Sequence, residues 1–224
     1  MKQVGIPLFY LQGMGGGAVL KFRDLFNDGS QYWAWRLYLG ETSQIGKSGT
    51  EINGRYELVA ISGKNAKWNS SSNEAPRLFM SPLAFPCEII TRLDTFTANA
   101  DTYAELFVSK HVVRFGGNMY FSIGRRQAGI CVTNTGALLA TAAITTLPLW
   151  LRIRLSSFAR YALNAYFDYS LDGLNWTNLW VQAEGFELFG DPFGGVGLCV
   201  RNESPYNEVV GGFDHFIMRP RSIN

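Results

Sequence analysis

Charge is scarce in this chain. Asp, Glu, Lys and Arg make up 17% of its 224 residues, well below the quarter usual for soluble domains. The 20 basic and 18 acidic residues nearly cancel, and the longest basic run is the pair Arg125-Arg126. That excludes the clustered Lys and Arg with which a nucleic-acid binder offsets phosphates. Histidine is scarcer still: only His111 and His215 occur, and neither adjoins a motif that would position it as a base for a nucleophile. Cysteine is limited to Cys87, Cys131 and Cys199, an odd number at spacings that suit neither a disulfide framework nor a zinc site. Cys131 and Cys199 lie in apolar, strand-like runs, so buried reduced thiols are expected. No run is long enough to cross a bilayer as a helix, so membrane insertion is not expected.

Phosphate-binding glycine motifs are missing as well. Gly40 to Ser48 has five residues between its glycines where a phosphate loop has four, and Gly13 to Ala18 formally matches G-x-G-x-x-A without the βαβ unit around it. Both read as loops.

What is abundant is apolar and aromatic side chains, 47% and 14% of the chain, arranged with period two. Candidate strands are 32–39, 54–61, 76–81, 87–96, 103–109, 119–124, 129–134 and 149–155. The clearest alternation puts Leu149, Leu151, Ile153 and Leu155 on one face and Trp150, Arg152 and Arg154 on the other, a strand with one buried and one wet side. Asn134-Thr135-Gly136 and Leu171-Asp172-Gly173 are hairpin signals, 69–73 reads as a polar loop, and 137–146 as the returning arm of a hairpin. Strands over 194–202 and 209–220 close the chain. A dozen strands without an amphipathic helix predict an all-β, two-sheet antiparallel jelly-roll sandwich. Residues 21–224 read as one domain and residues 1–20 as an apolar arm. Pro7, Gln12 and several glycines interrupt that arm before any cleavage site, which argues against an export signal.

The C-terminal half, WLRIRLSSFARYALNAYFDYSLDGLNWTNLW followed by GGVGLCVRN and GGFDHFIM, resembles the concanavalin A-like (LamG-type) jelly rolls appended to many glycoside hydrolases. FRDLFNDGS, APRLFMSP and CEIITRLDTF are similar to their opening strands. The resemblance covers about residues 22–219. It implies a sandwich with one concave sheet face on which many members bind glycans, with Ca²⁺ at the rim in some, which here would involve Asp24, Asp28 and Asp214. Trp176, Phe213 and the Ser-x-Asp-Gly turn carry the resemblance as fold residues. Glucan-cleaving enzymes of this architecture place carboxylates by an E-x-D-x-x-E spacing, which is absent. The pairs Asp168 with Asp172 and Glu184 with Glu187 are poor substitutes.

Trp150, Arg152 and Arg154, with Tyr166 or Asp168 on the next strand, form the best glycan platform, because rings stack on sugar C–H faces and planar polar groups meet hydroxyls. The same set would suit a subunit contact. On these grounds the expectation is a non-enzymatic structural or attachment protein of a bacteriophage-like virion. Its partners would be other virion proteins, itself through the arm, or a surface glycan, and no cofactor is expected beyond the Ca²⁺ just named. The alternatives are an extracellular carbohydrate-binding module of a glycan-degrading system and a glycoside hydrolase.

Overall fold

The computed structural model describes residues 10–11, 20–26, 35–40, 44–69, 71–80, 86–97, 99–109, 120–156, 164–182, 195–204 and 207–220. Among them all regular structure is β. The first sheet has nine strands. Its main path runs β1 (Tyr10–Leu11), β2 (Leu20–Asp24), β18 (Val209–Pro220), β9 (Cys87–Phe96), β14 (Leu149–Leu155), β15 (Ala165–Ser170) and β16 (Thr177–Gln182). β5 (Arg55–Ala60) also pairs with β18, and β4 (Lys47–Ile52) pairs with β5. The second sheet runs β13 (Ala137–Ala142), β12 (Gly129–Asn134), β11 (Tyr120–Arg126), β10 (Thr102–Ser109), β17 (Gly195–Asn202), β8 (Arg77–Met80) and β3 (Arg36–Tyr38). A two-strand ladder, β6 (Trp68–Asn69) with β7 (Ser72–Asn73), stands apart. No helix among the described residues is long and apolar enough to cross a membrane.

The two sheets close on one core. On β14 the residues Leu149, Leu151, Ile153 and Leu155 are fully buried, while Trp150, Arg152 and Arg154 between them are half-buried and turned outward. Facing them across the sandwich are Ala104, Leu106 and Val108 of β10 and Val196, Leu198 and Val200 of β17, in the same apolar cluster. Truncating one such leucine to alanine costs about 2–5 kcal/mol, so this layer dominates the fold's stability.

Turn chemistry fixes the register. Asn53-Gly54 and Thr135-Gly136 each place two consecutive residues at positive φ, 53° and 76°, then 49° and 87°. This is the type I′ geometry that matches strand twist, and it sets Ile52 opposite Arg55 and Asn134 opposite Ala137. The third hairpin turn is held by side chains. Ser170 Oγ accepts the Gly173 N–H at 2.9 Å. Asp172 Oδ1 accepts the N–H groups of Leu174 and Asn175 at 2.8 and 2.7 Å, and its Oδ2 accepts from Asn175 Nδ2 at 2.6 Å.

The structure departs from the sequence reading at two loops. Asn69, Ser72 and Asn73 belong to the β6–β7 ladder with Trp68, which is fully buried under the second sheet. The stretch after Gly46 is already strand β4, anchored by a buried ion pair of Lys47 with Glu74 at 2.8 Å. Residues 13–18 lie outside the described residues.

Candidate functional site

The outward face of the nine-stranded sheet carries the four residues picked for a ligand platform. Period two on β14 and β15 sets Arg152 opposite Asp168 and Arg154 opposite Tyr166, with Trp150 one step further along. Asp168 is almost completely buried and fully engaged. Its Oδ2 accepts from Arg152 Nε at 2.9 Å and Arg154 Nε at 2.5 Å, and its Oδ1 from Arg154 Nη2 at 2.9 Å and Asn178 Nδ2 at 2.8 Å. Each guanidinium then lies against a ring, Arg152 at 4.1 Å from Trp176 and Arg154 at 4.6 Å from Tyr166. Burial lowers the pKa of Arg152, and Asp168 counters only part of that shift. Trp150 rests on the β15–β16 turn, where a Cβ on Gly173 would come 2.9 Å from its indole, and lies 5.3 Å from His215.

This arrangement presents half-buried rings beside rigid planar donors, the chemistry that meets a sugar's C–H face and hydroxyls. Among the described residues it leaves no free acid there: Asp168 is clamped by two arginines, and Asp172 is consumed by its turn. Trp176 and Asn178 belong to the platform although the sequence marked Trp176 only as a fold residue. The pairing of Asp168 with Asn178 across a register shift moves these side chains off a simple alternation.

The aspartates considered for calcium are occupied otherwise. Asp24 accepts the Phe26 N–H at 2.9 Å and the Trp35 indole N–H at 2.8 Å. Asp214 is ion-paired with Arg92 and lies 2.8 Å from His215 Nδ1. Asp28 lies outside the described residues, as do His111, Glu184 and Glu187. No group of three or more His, Cys, Asp or Glu suited to a metal occurs among the described residues.

The seven-stranded sheet's outward face holds a second set that sequence reasoning missed. Glu105 of β10 and Arg201 of β17 are fully buried. Arg201 donates from Nε and Nη2 to Glu105 at 2.8 and 3.2 Å, and Ser122 and Thr133 donate to the same carboxylate at 2.8 and 3.3 Å. Tyr103 stacks 3.6 Å from the guanidinium. At the end of the row Glu203 also takes a hydrogen bond from Arg201, and its side chain keeps 31% of its surface exposed. Burial raises the Glu203 carboxyl above its ordinary range despite the cation beside it. Two carboxyl groups thus share one guanidinium, one sealed and one open to solvent.

No protein-family description and no curated relative matches the chain, but solved structures do. The GH43 protein BlXynB of Bacillus licheniformis is 18% identical, with a TM-score of 0.61 over 88% of this chain and 39% of that one. A xylan β-1,4-xylosidase from Bacillus halodurans is 14% identical, with a TM-score of 0.57 over 88% of this chain and 38% of its own. LamAcat of Zobellia galactanivorans is 10% identical, with a TM-score of 0.56 over 88% of this chain and 96% of that one. The fold is the concanavalin A-like sandwich.

This chain therefore spans about two fifths of the first two proteins and nearly all of the third. The matches correct two expectations. The virion component and the non-enzymatic reading are both overturned, because these neighbours are glycoside hydrolases and give the phage setting no support. The virion expectation rests on low charge, reduced-looking cysteines, an unconvincing export signal and the N-terminal arm, none of which is specific to a virion part.

Proposed function

We propose that this chain engages β-linked polysaccharide as a glycoside-hydrolase-type sandwich, and that its sugar-contacting surface is the outward face of the nine-stranded sheet. The observation carrying the proposal is the fold match in two settings: the sandwich makes up part of GH43 enzymes and nearly the whole of LamAcat. The platform of Trp150, Trp176, Arg152, Arg154 and Tyr166 supports it, since ring faces and fixed planar donors lie side by side on an accessible face. Polysaccharides of this class lie outside cells, so the proposal carries an extracellular place of action.

A second reading, hydrolysis, uses a sugar site of its own on the other sheet, because a proton donor must touch the leaving oxygen and the platform lies on the opposite face. Glu203 combines a raised carboxyl pKa with partial exposure, which suits a proton donor to a leaving glycosidic oxygen.

The test is titration calorimetry of the full-length chain with laminaritriose and with xylotriose, beside reducing-sugar release from laminarin and xylan. The neighbours suggest both sugars: LamA was solved with laminaritriose and laminaritetraose, and another neighbour is a xylosidase. Binding of either sugar, weakened about tenfold in Trp150→Ala, is the expected result. Absence of both binding and hydrolysis at millimolar sugar would sink the proposal.

A further inference from the structure

Arg77 of β8 lies two strands from Glu105 on the same outward face, with Cys199 of β17 in register with both. That separation is about 10 Å of sheet. The Arg77 side chain is fully buried and held between two rings, Trp68 at 4.2 Å and Tyr38 at 4.4 Å from its guanidinium carbon. Trp68 is fixed in turn by stacking on Tyr120, with ring centroids 3.8 Å apart and planes 8° off parallel, and by the edge of Phe107.

One nitrogen of Arg77 is satisfied, Nη2, which donates to Asn73 Oδ1 at 2.7 Å. Nε and Nη1 have no hydrogen-bond partner among the described residues, and neither does the indole N–H of Trp68. All three are donors.

No carboxylate among the described residues is ion-paired with the guanidinium either. Glu74, three residues away, is committed to Lys47 at 2.8 Å, and Glu105 is committed to Arg201. Burial pulls the guanidinium down to about 10, with Cys199, Tyr38, Tyr120 and Glu74 only partly opposing it, so it still carries its proton at neutral pH. A buried cation without a counter-charge is strongly disfavoured, and a water molecule would meet the donors without offsetting the charge. Ring stacking offsets part of the cost but supplies no acceptor for Nε or Nη1.

We propose that Arg77 holds a small monovalent anion, of halide or formate size, as a resident counter-ion beneath Trp68 and Tyr38. Small size follows from the complete burial of the site. A single negative charge follows from the balance of the buried groups, in which Lys47 pairs with Glu74 and Arg201 with Glu105, and Arg77 remains. The site is separate from the glycan surface, which lies on the other sheet.

Crystals of the full-length chain grown in bromide test this directly. The expected result is an anomalous difference peak within about 3.5 Å of Arg77 Nε or Nη1. An ordered water there, or a side chain filling the place, overturns the proposal. In solution the melting temperature in saturating chloride should exceed that in gluconate at equal ionic strength by about 5 °C or more, and Arg77→Met should abolish the difference. A folded Arg77→Met protein that keeps the full chloride effect overturns it as well. If that variant does not fold, the bromide crystal of the unaltered chain decides.

Discussion

Replacing Glu105 by alanine strands a cation. In the native protein the Arg201 guanidinium is wholly buried and makes two hydrogen bonds to Glu105, a third to Glu203 and a stack on Tyr103. With Glu105 gone, Glu203 remains as the only acid on it among the described residues, and Glu203 is partly solvated. Ser122 and Thr133 keep each other at 2.7 Å, so their loss is small. Breaking a buried pair from one side costs about 3–5 kcal/mol, and the surviving Glu203 contact places Glu105→Ala near the lower end. For a chain of this size that is a drop of about 10 °C in melting temperature. Urea unfolding followed by tryptophan fluorescence measures it.

The double variant Glu105→Leu with Arg201→Met should cost much less than the two single changes combined, because it removes the charge together with its partner. A single-variant cost under about 1 kcal/mol, or strict additivity of the two, would refute the reading of this pair as a coupled buried unit.

Acid pH gives a second check. The Asn175 and Leu174 N–H groups, the Asn175 side chain and Ser170 hold Asp172 well below the ordinary carboxylate range. The folded pKa is thus below the unfolded one, and the turn's contribution is present above about pH 4 and lost as pH falls toward the folded value. Asp172→Asn should flatten that part of the stability profile, and a native carboxyl resonance titrating at the ordinary value would refute the assignment. Gly173→Ala meets both a φ of 74° and the Trp150 indole at 2.9 Å. It should cost about 1 kcal/mol or more and shift tryptophan emission; an unchanged spectrum would contradict the contact. Burial pushes the Cys87 and Cys131 thiols up to about 12 and Cys199 higher still. None should react with a disulfide reagent at about pH 8 until the protein is unfolded, and stoichiometric labelling of the native chain would be the contrary result.

The strands were legible where only one face is buried. β14 shows its alternation in sequence because Trp150, Arg152 and Arg154 sit between four leucine or isoleucine positions, and β9 falls on its expected bounds, Cys87–Phe96. The outward face of the seven-stranded sheet was not legible. β10 and β17 are buried almost throughout, so period two carries no signal there about which residues face which way. Glu105 and Arg201 are 96 positions apart, and only strand order brings them together. Trp68 illustrates the same limit: a tryptophan beside an Asn-Ser-Ser-Ser-Asn run reads as a loop boundary, yet the fold uses it to cover Arg77. Trp150, Arg152, Arg154 and Tyr166 could be grouped because they lie on neighbouring strands, but the clamp on Asp168 depends on distances no spacing reveals.

The two outward faces make the glycan proposal separable into parts. Trp150 lies on the nine-stranded sheet and Glu203 at the end of β17 in the other, so binding by the first and proton donation by the second should fail independently. If both assignments hold, Trp150→Ala weakens sugar binding about tenfold while leaving turnover at saturation nearly intact. Glu203→Gln, which keeps a hydrogen-bond acceptor for Arg201, lowers turnover by about 100-fold or more with the sugar dissociation constant unchanged. A raised carboxyl pKa should also appear as the alkaline limb of the turnover–pH profile, and that limb should vanish in Glu203→Gln. Equal losses of binding and turnover in both variants would mean one contiguous site, which two opposed sheet faces cannot provide, and the platform would then have to be abandoned in favour of the Glu203 end of the seven-stranded sheet.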